Sequence, residues 1–436
     1  MSDVPGYPLV PLHQVARRIT DGSHFSPTPR EYGYLIANVK DMKPGEIDFS
    51  TCTRISPSAY RELKATGCTI KNGNVLLSKD GTVGRVVVYK QDDEIGALSS
   101  ICIIEPIDRL DASFLGQALQ SEGCTRQYDN FMSGSALRRL VLRDIRSIQV
   151  PLPEPKHQGA IAQVLDTLDT AIHETAAMIA KLKATKQGLQ HDLLTRGIAA
   201  NGELRPPQAE APHLYKESPL GWIPKEWDVV TLESLSKTVT SGSRDWARFY
   251  ADSGALFVRI GNLTREHINF RYESTTYVRP PRNADGQRTR LESGDILISI
   301  TADLGIVGVV PDGLGEAYIN QHIALVRPDL VVVNSRFVGH YLAGSIAQTY
   351  ISKLNDAGAK AGLNLPTIRG LVTANPLRAE QDLIATRLDE IDNRLQNATS
   401  ESAKLRELKA GLMDDLLTGR VRVTPLLAEA EQQGSA

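Results

Sequence analysis

This chain contains itself twice. Leu12, Thr20, Gly22 and Ser23 return 220 residues later as Leu232, Thr240, Gly242 and Ser243. Gly73-Asn74-Val75-Leu76-Leu77-Ser78 returns at an offset of 221 as Gly294-Asp295-Ile296-Leu297-Ile298-Ser299, and Gly84 as Gly305. Ile145-Arg146, Pro153, Gln158, Leu165, Lys186 and Asp192-Leu193-Leu194-Thr195 return at 223 as Ile368-Arg369, Pro376, Gln381, Leu388, Lys409 and Asp415-Leu416-Leu417-Thr418. Chance does not hold one offset within three residues over so long a stretch. A repeat of roughly 200 residues is domain-sized, so the fold is two copies of one unit.

Each copy changes character along its length. Its first part carries short apolar runs between Gly, Pro, Asn and Asp: Val75–Ser78, Arg85–Tyr89, Ile101–Ile104, then Phe257–Ile260, Ile296–Ile300 and His322–Val326. These read as strands, with helices near Asp111–Ser121 and Ser335–Leu354. Its second part is a heptad seam. From Ile161 a four-then-three spacing lands on Leu165, Leu168, Ile172, Thr175, Ile179, Leu182, Lys186, Leu189 and Leu193. From Ile384 it lands on Leu388, Ile391, Leu395, Ala398, Ser402, Leu405, Lys409, Leu412 and Leu416. Neither seam holds a proline, and both have a lysine at the same point. The spacing predicts two long helices paired antiparallel as a coiled coil, each about 58 Å long at about 1.5 Å per residue.

The expected class is α+β with internal pseudo-two-fold symmetry. The expected boundaries are a strand-rich domain at 1–155, a helix at 156–196, a surface linker at 197–214, a second strand-rich domain at 215–378, a helix at 379–420 and a tail at 421–436. The formal net charge is −2, which excludes a uniformly basic nucleic-acid coat. Residues 1–150 hold 18 Lys+Arg against 17 Asp+Glu, and residues 215–378 hold 18 against 16, so a nucleic-acid surface must be a local face. No apolar run reaches the roughly 18 residues of a membrane span, and the start lacks a secretory pattern, so the chain is expected in the cytoplasm without membrane contact. The four cysteines form no C-x-x-C pair and read as reduced thiols.

No catalytic constellation has the required spacing. The chain has no Gly-Lys dipeptide for a phosphate loop and no two histidines four residues apart for a zinc site. The single Asn-Pro, Asn375-Pro376-Leu377, lacks the flanking proline and aromatic with which an amino-methyltransferase clamps a flipped base. Two domain-sized units spaced by a stiff helix pair suit a ligand that is itself a long periodic rod. Duplex DNA, whose half-sites recur at about 34–36 Å, is such a ligand.

At this point the residues resemble the specificity (S) subunit of type I restriction–modification systems, over about residues 7–425. Thr20-Asp21-Gly22-Ser23-His24 looks like that family's opening T-D-G-x-H, and Gly73–Tyr89 and Gly294–Val310 look like its G-D-I-L-x-S strand pair. Tyr318-Ile319-Asn320-Gln321-His322 looks like its I-N-Q-H strand, and Leu363–Ile368 like the turn and short helix that close each recognition domain. Pro151-Leu152-Pro153 with Gln158, and Pro376 with Gln381, look like its helix entries; Leu220–Trp227 looks like the start of its second recognition domain. The first copy has Leu98-Ser99-Ser100 where the second has Asn320-Gln321-His322, as expected if each copy reads its own sequence.

The resemblance implies a non-catalytic subunit that reads a bipartite, asymmetric site on double-stranded DNA. It implies partners too: two methyltransferase (modification) subunits docked on the helices, and restriction (translocase/endonuclease) subunits. The chain is then expected to bind no cofactor, with S-adenosylmethionine, Mg and ATP on the partner subunits. The alternative is a non-catalytic scaffold that docks two proteins without touching DNA.

Candidate DNA contacts are polar and basic residues on loops flanking the strands, which divide into phosphate anchors and base readers. They are Ser23, His24, Lys79, Arg85, Arg138 and Arg139 in the first copy, and Ser243, Arg244, Trp246, Arg248, Arg259, Asn262 and Lys360 in the second. The run Arg279, Arg282, Arg288 and Arg290 is a further candidate for tracking phosphates, whereas Asn320-Gln321-His322 reads as strand.

Overall fold

The computed structural model describes residues 6–132, 139–242, 244, 246–280, 284–356 and 363–424. The chain forms two units, Met1–Glu174 with Ser402–Ala436, and Thr175–Glu401.

In the first unit the apolar runs become strands β1 (Ala16–Asp21), β2 (Tyr34–Ala37), β3 (Val75–Ser78), β4 (Val86–Val88), β5 (Ile95–Ala97) and β6 (Ile101–Pro106). One four-stranded sheet has the order β1-β6-β3-β4 and is antiparallel, with Ile104 opposite Ile19 and Ile103 opposite Leu76. The other runs Thr53–Ile55, β2, β5, Thr69–Ile70, with β2 and β5 parallel and Ala37 opposite Ala97. Val75, Leu77, Cys102 and Ile104 enter one core while Leu76, Ile101 and Ile103 enter another. Burial on both faces is why β3 and β6 read as unbroken apolar runs instead of alternating ones. Helices α1 (Ala112–Leu119) and α2 (Glu122–Met132) cover this sheet. Asp111 caps α1 by accepting the Phe114 N–H at 2.8 Å, a contact of about 1 kcal/mol. Gly116 brings α1 onto the sheet, since a methyl there would lie 2.4 Å from Val88.

The second unit repeats this plan. Strands β7 (Ser236–Ser241), β8 (Ala255–Val258), β9 (Ile296–Ser299), β10 (Val307–Val309), β11 (Ala317–Ile319) and β12 (Ile323–Pro328) form a sheet ordered β7-β12-β9-β10 and a second one in which β8 and β11 run parallel. A methyl added to Gly339 would lie 2.5 Å from Val309, as one on Gly116 would from Val88. The helix expected near Ser335–Leu354 is two, α3 (Ser335–Ala343) and α4 (Ser345–Asp356), because the extended backbone of Gly344 ends the first. The linker expected at the surface is partly built in. Glu380 accepts the Ile198 N–H, both arms of the Arg205 guanidinium and the Trp227 indole N–H.

The two seams form helices Pro155–Thr195 and Arg378–Thr418, each of 41 residues. In the first unit Ile161, Ala162 and Leu165 share a core with Leu412, Leu416 and Leu417. In the second unit Leu189, Leu193 and Leu194 share one with Ile384, Ala385 and Leu388. Within each unit the numbers rise along one helix as they fall along the other, so the pairing is antiparallel.

The matching lysines have partners. In the first unit Lys409 pairs with Asp169 at 2.5 Å, and the Gln117 amide of α1 donates to Asp166 and Asp169 at 2.8 and 2.7 Å. In the second, Lys186 pairs with Asp392 at 2.6 Å and donates to the Glu266 carbonyl; Asp392 also accepts the Ile268 N–H. His340 stands where Gln117 stands, its Nε2 at 2.7 Å from Asp389 and its Nδ1 at 3.9 Å from Asp392, with Arg336 forked onto Asp389.

Burial holds the His340 ring below its ordinary pKa despite the two aspartates. On acidification the unfolded chain therefore takes up this proton first. The stability held in the neutral ring is complete above about pH 6.5 and drains as pH falls from there towards the lowered value. The substitution His340→Gln copies the first unit's residue and keeps a donor to Asp389. It is expected to flatten the fall in unfolding temperature between about pH 7 and pH 5 relative to the parent. Parallel curves would refute this account.

Candidate nucleic-acid interface

Three loops meet at one end of each unit. In the first, Gly22 N–H bonds the Ile101 carbonyl at 3.1 Å, Ser23 N–H that of Ala97 at 2.8 Å, and Ser99 N–H that of Ser23 at 2.9 Å. Lys79 N–H bonds the Ser100 carbonyl and Leu140 N–H the Lys79 carbonyl, both at 2.9 Å. The loop after β1, the β3–β4 turn, the β5–β6 loop and the chain at Leu140 are thus tied by backbone. The second unit repeats the ties from Gly242 to Ile323, Ile300 to His322 and Leu363 to Ile300. Both motif glycines are required by close approach: a methyl on Gly22 would lie 2.3 Å from the Ala97 carbonyl oxygen, and one on Gly242 2.1 Å from that of Asn320. The β-turns match as well. Ser78 Oγ accepts the Arg85 N–H and Ser299 Oγ the Ile306 N–H, each at 2.8 Å.

On this shared backbone the side chains differ. In the first unit, exposed His24 lies 3.0 Å from Asp21, which with Asp80 flanks the Lys79 ammonium at 3.5 and 3.0 Å. Arg139 reaches Asp80 at 2.9 Å, while Asp144 pairs with Arg143. Ser23 folds onto its own loop, donating to the Phe25 carbonyl. In the second unit Thr301 Oγ1 is 2.7 Å from His322 Nδ1, and the Gln321 amide 3.1 Å from His322 Nε2. Arg288 donates to Thr240 Oγ1 and the Ser241 carbonyl. Ala302, at the tip of the β9–β10 turn, has φ 59°, where the first copy has Gly81 at φ 74°. A side chain held in this region costs on the order of 1–3 kcal/mol and marks a tip whose shape is imposed by its surroundings.

The structure sorts the sequence candidates. Ser23, His24 and Arg139 in the first unit and Arg244 in the second lie on these loops. Arg85 leaves its turn and donates to the Met42 carbonyl. Arg248 is exposed and stacks over Phe249, 4.9 Å from the ring centroid. Three candidates need correcting. Lys79 is 2% exposed, its charge consumed by the two aspartates, so it orders the loops from beneath. Trp246 is 3% exposed and stacks on Phe257 in a core. Asn262, 2% exposed, accepts the Arg259 N–H and donates to the Arg271 and Ser274 carbonyls. Its first-unit counterpart is the buried Asp41, which accepts the Asn38 N–H, so the position fastens a backbone turn in both copies. Arg259 is half-buried beside that turn. Arg138, Ser243, Lys360 and Arg282 lie outside the described residues.

Two groups escaped the sequence reading. The strand expected through Asn320–His322 stops at Ile319, leaving Gln321 and His322 in the loop. Phe25 and Tyr32 are 71% and 84% exposed just beyond Ser23-His24. Aromatics within a segment rich in Ser, Pro and Gly were the available signal.

A family model described as the type I restriction modification DNA specificity domain matches this chain twice, over residues 30–184 and 224–409. The chain is 21% identical over 421 residues to the putative type I restriction enzyme MjaX specificity subunit of Methanocaldococcus jannaschii, covering 94% of this chain and 93% of that one. It is 25% identical over 378 residues to the type I restriction enzyme EcoDI specificity subunit of Escherichia coli, covering 82% and 78%. The crystal structure of the type I restriction–modification system S subunit from M. genitalium shares its fold at 16% identity, with a TM-score of 0.64 over 96% of this chain and 97% of that one.

Proposed function

Because this chain belongs to the type I restriction modification DNA specificity family, we propose that its two loop ends each read one half of a split, asymmetric DNA site. The observation that carries the reading is the common backbone with divergent side chains. Ties from Gly22 to Ile101 and Gly242 to Ile323 set the same scaffold, while Ser99-Ser100 and Gln321-His322, or Lys79 and Ile300, occupy matching positions. A constant frame with changed polar groups is what two readers of different base sequence require, since direct readout depends on donors and acceptors facing base edges.

The chain serves as the recognition subunit, and its paired helices set the gap between half-sites. Two methyltransferase subunits dock on it, so that binding delivers an adenine to a partner's base-flipping pocket; restriction subunits join the same complex. S-adenosylmethionine, Mg and ATP belong to those partners.

Two measurements test this. The chain assembled with its methyltransferase subunits should lose about 10³-fold or more in affinity for duplex DNA between about 50 and 200 mM salt, because each phosphate contact releases counterions. A flat salt response would favour the scaffold alternative. The chain by itself, given DNA, Mg and methyl donor, should modify and cleave nothing; turnover would overturn the assignment.

A further inference from the structure

We propose that Thr301 and Ala302, at the tip of the β9–β10 turn, read one thymine in the major groove of the second half-site; this rests on the function proposed above. Ala302 is the only non-glycine residue with positive φ among the described residues. The turn around it is fastened. The Ser299 hydroxyl donates to the Asp303 carbonyl, Arg265 donates to the Asp303 carboxylate and the Leu304 carbonyl, and the Ile300 N–H bonds the His322 carbonyl. Glycine would take φ 59° freely, as Gly81 takes 74° at the same tip of the first unit. Ala302 is exposed, so its methyl does not serve to pack the turn. A methyl held out at the cost of strain, where the reading loops gather, fits a contact made outside the chain.

The neighbouring residue narrows what is touched. Gln321 Nε2 lies 3.1 Å from His322 Nε2, and since an amide nitrogen only donates, the ring accepts there. A ring that accepts at Nε2 carries its hydrogen on Nδ1, which lies 2.7 Å from Thr301 Oγ1 and donates to it. The half-buried Thr301 hydroxyl thus accepts inside the protein and has its own hydrogen left to give. Adjacent residues therefore offer a hydroxyl donor and a methyl. Thymine is the base that presents an acceptor, O4, beside a methyl in the major groove. Cytosine and guanine carry no methyl, adenine adds an amino donor that would face the hydroxyl's own, and a phosphate would leave the Ala302 methyl without a contact. The first unit has Asp80 and Gly81 at these places, a carboxylate already held by Lys79 and Arg139 and no methyl. The contact accordingly belongs to the second half-site alone.

Methylation mapping of DNA treated with the assembled complex gives the site. Duplexes then carry deoxyuridine, which lacks the methyl, in place of each of its thymines in turn. One such replacement should weaken binding by the parent complex about fourfold, the worth of one methyl removed from water. Ala302→Gly should bind the unmodified duplex about fourfold less tightly and be indifferent to that same replacement. Thr301→Val keeps the shape of the side chain and removes the hydroxyl; it should lower the preference for thymine over cytosine at that pair about tenfold. Discrimination within the first half-site should be unchanged in both variants, which separates a lost contact from misfolding. If no thymine loses its methyl effect in Ala302→Gly, or if Thr301→Val keeps its full preference, the proposal is overturned and the two readers stand. A parent complex that binds and methylates without regard to sequence overturns the functional reading itself.

Discussion

Replacing Lys186 by methionine is expected to destabilise the unit Thr175–Glu401 by about 3–5 kcal/mol, the cost of leaving one buried charge without its partner. Asp392 is fully buried, and its remaining partners are the Ile268 N–H and the edge of His340. The double substitution Lys186→Met, Asp392→Asn removes the stranded charge while leaving an oxygen for Ile268. It should therefore be more stable than Lys186→Met, although it carries one more change. Urea denaturation of the four members of this cycle measures the coupling. A double variant less stable than the single would mean that the lysine contributes mainly through the Glu266 carbonyl. The value of such a pair lies in alignment: a charged residue in an apolar seam is satisfied in one register of the two helices and stranded in its neighbours.

The other large effect concerns recognition. Exchanging residues 1–150 for the matching segment of a relative that reads another sequence should change one half of the DNA site and leave the other half untouched. Each altered base pair is worth about 1–3 kcal/mol, so preference between old and new half-sites should invert by about 10³-fold or more. Methylation mapping of DNA exposed to the reassembled complex reads this directly. Change in both halves, or in neither, would defeat the idea of two independent readers. The loop ends argue for independence, because each is tied by hydrogen bonds within its own unit.

Much of this architecture was legible in the sequence because it is periodic or duplicated. The heptad seams foretold both long helices, and the repeated Gly-Asn-Val-Leu-Leu-Ser and Gly-Asp-Ile-Leu-Ile-Ser segments marked the central hairpins. What resisted was the fate of single polar residues. Lys79 and Asn262 look like exposed loop groups, yet Lys79 is met by Asp21 at the end of β1, which only the folded chain brings near, and Asn262 turns inward to the Arg271 and Ser274 carbonyls. The seam lysines looked like defects for the same reason: Lys186 is answered by an aspartate 206 positions away, and Lys409 by one 240 positions away. Local pattern shows where apolar surface goes, but not which charge will be met.

The division of the helices between units has a consequence for synthesis. The unit Thr175–Glu401 is one uninterrupted stretch, whereas the other needs Ser402–Ala436 to complete the core that Leu412, Leu416 and Leu417 share with Ile161 and Leu165. The 227 residues from 175 to 401 must leave the ribosome before that core can close. At about 5–20 residues per second the delay is roughly 10–45 s. The amino-terminal reader is thus translated first and finished last, and for that interval its apolar surface stands open to chaperones and to neighbouring nascent chains.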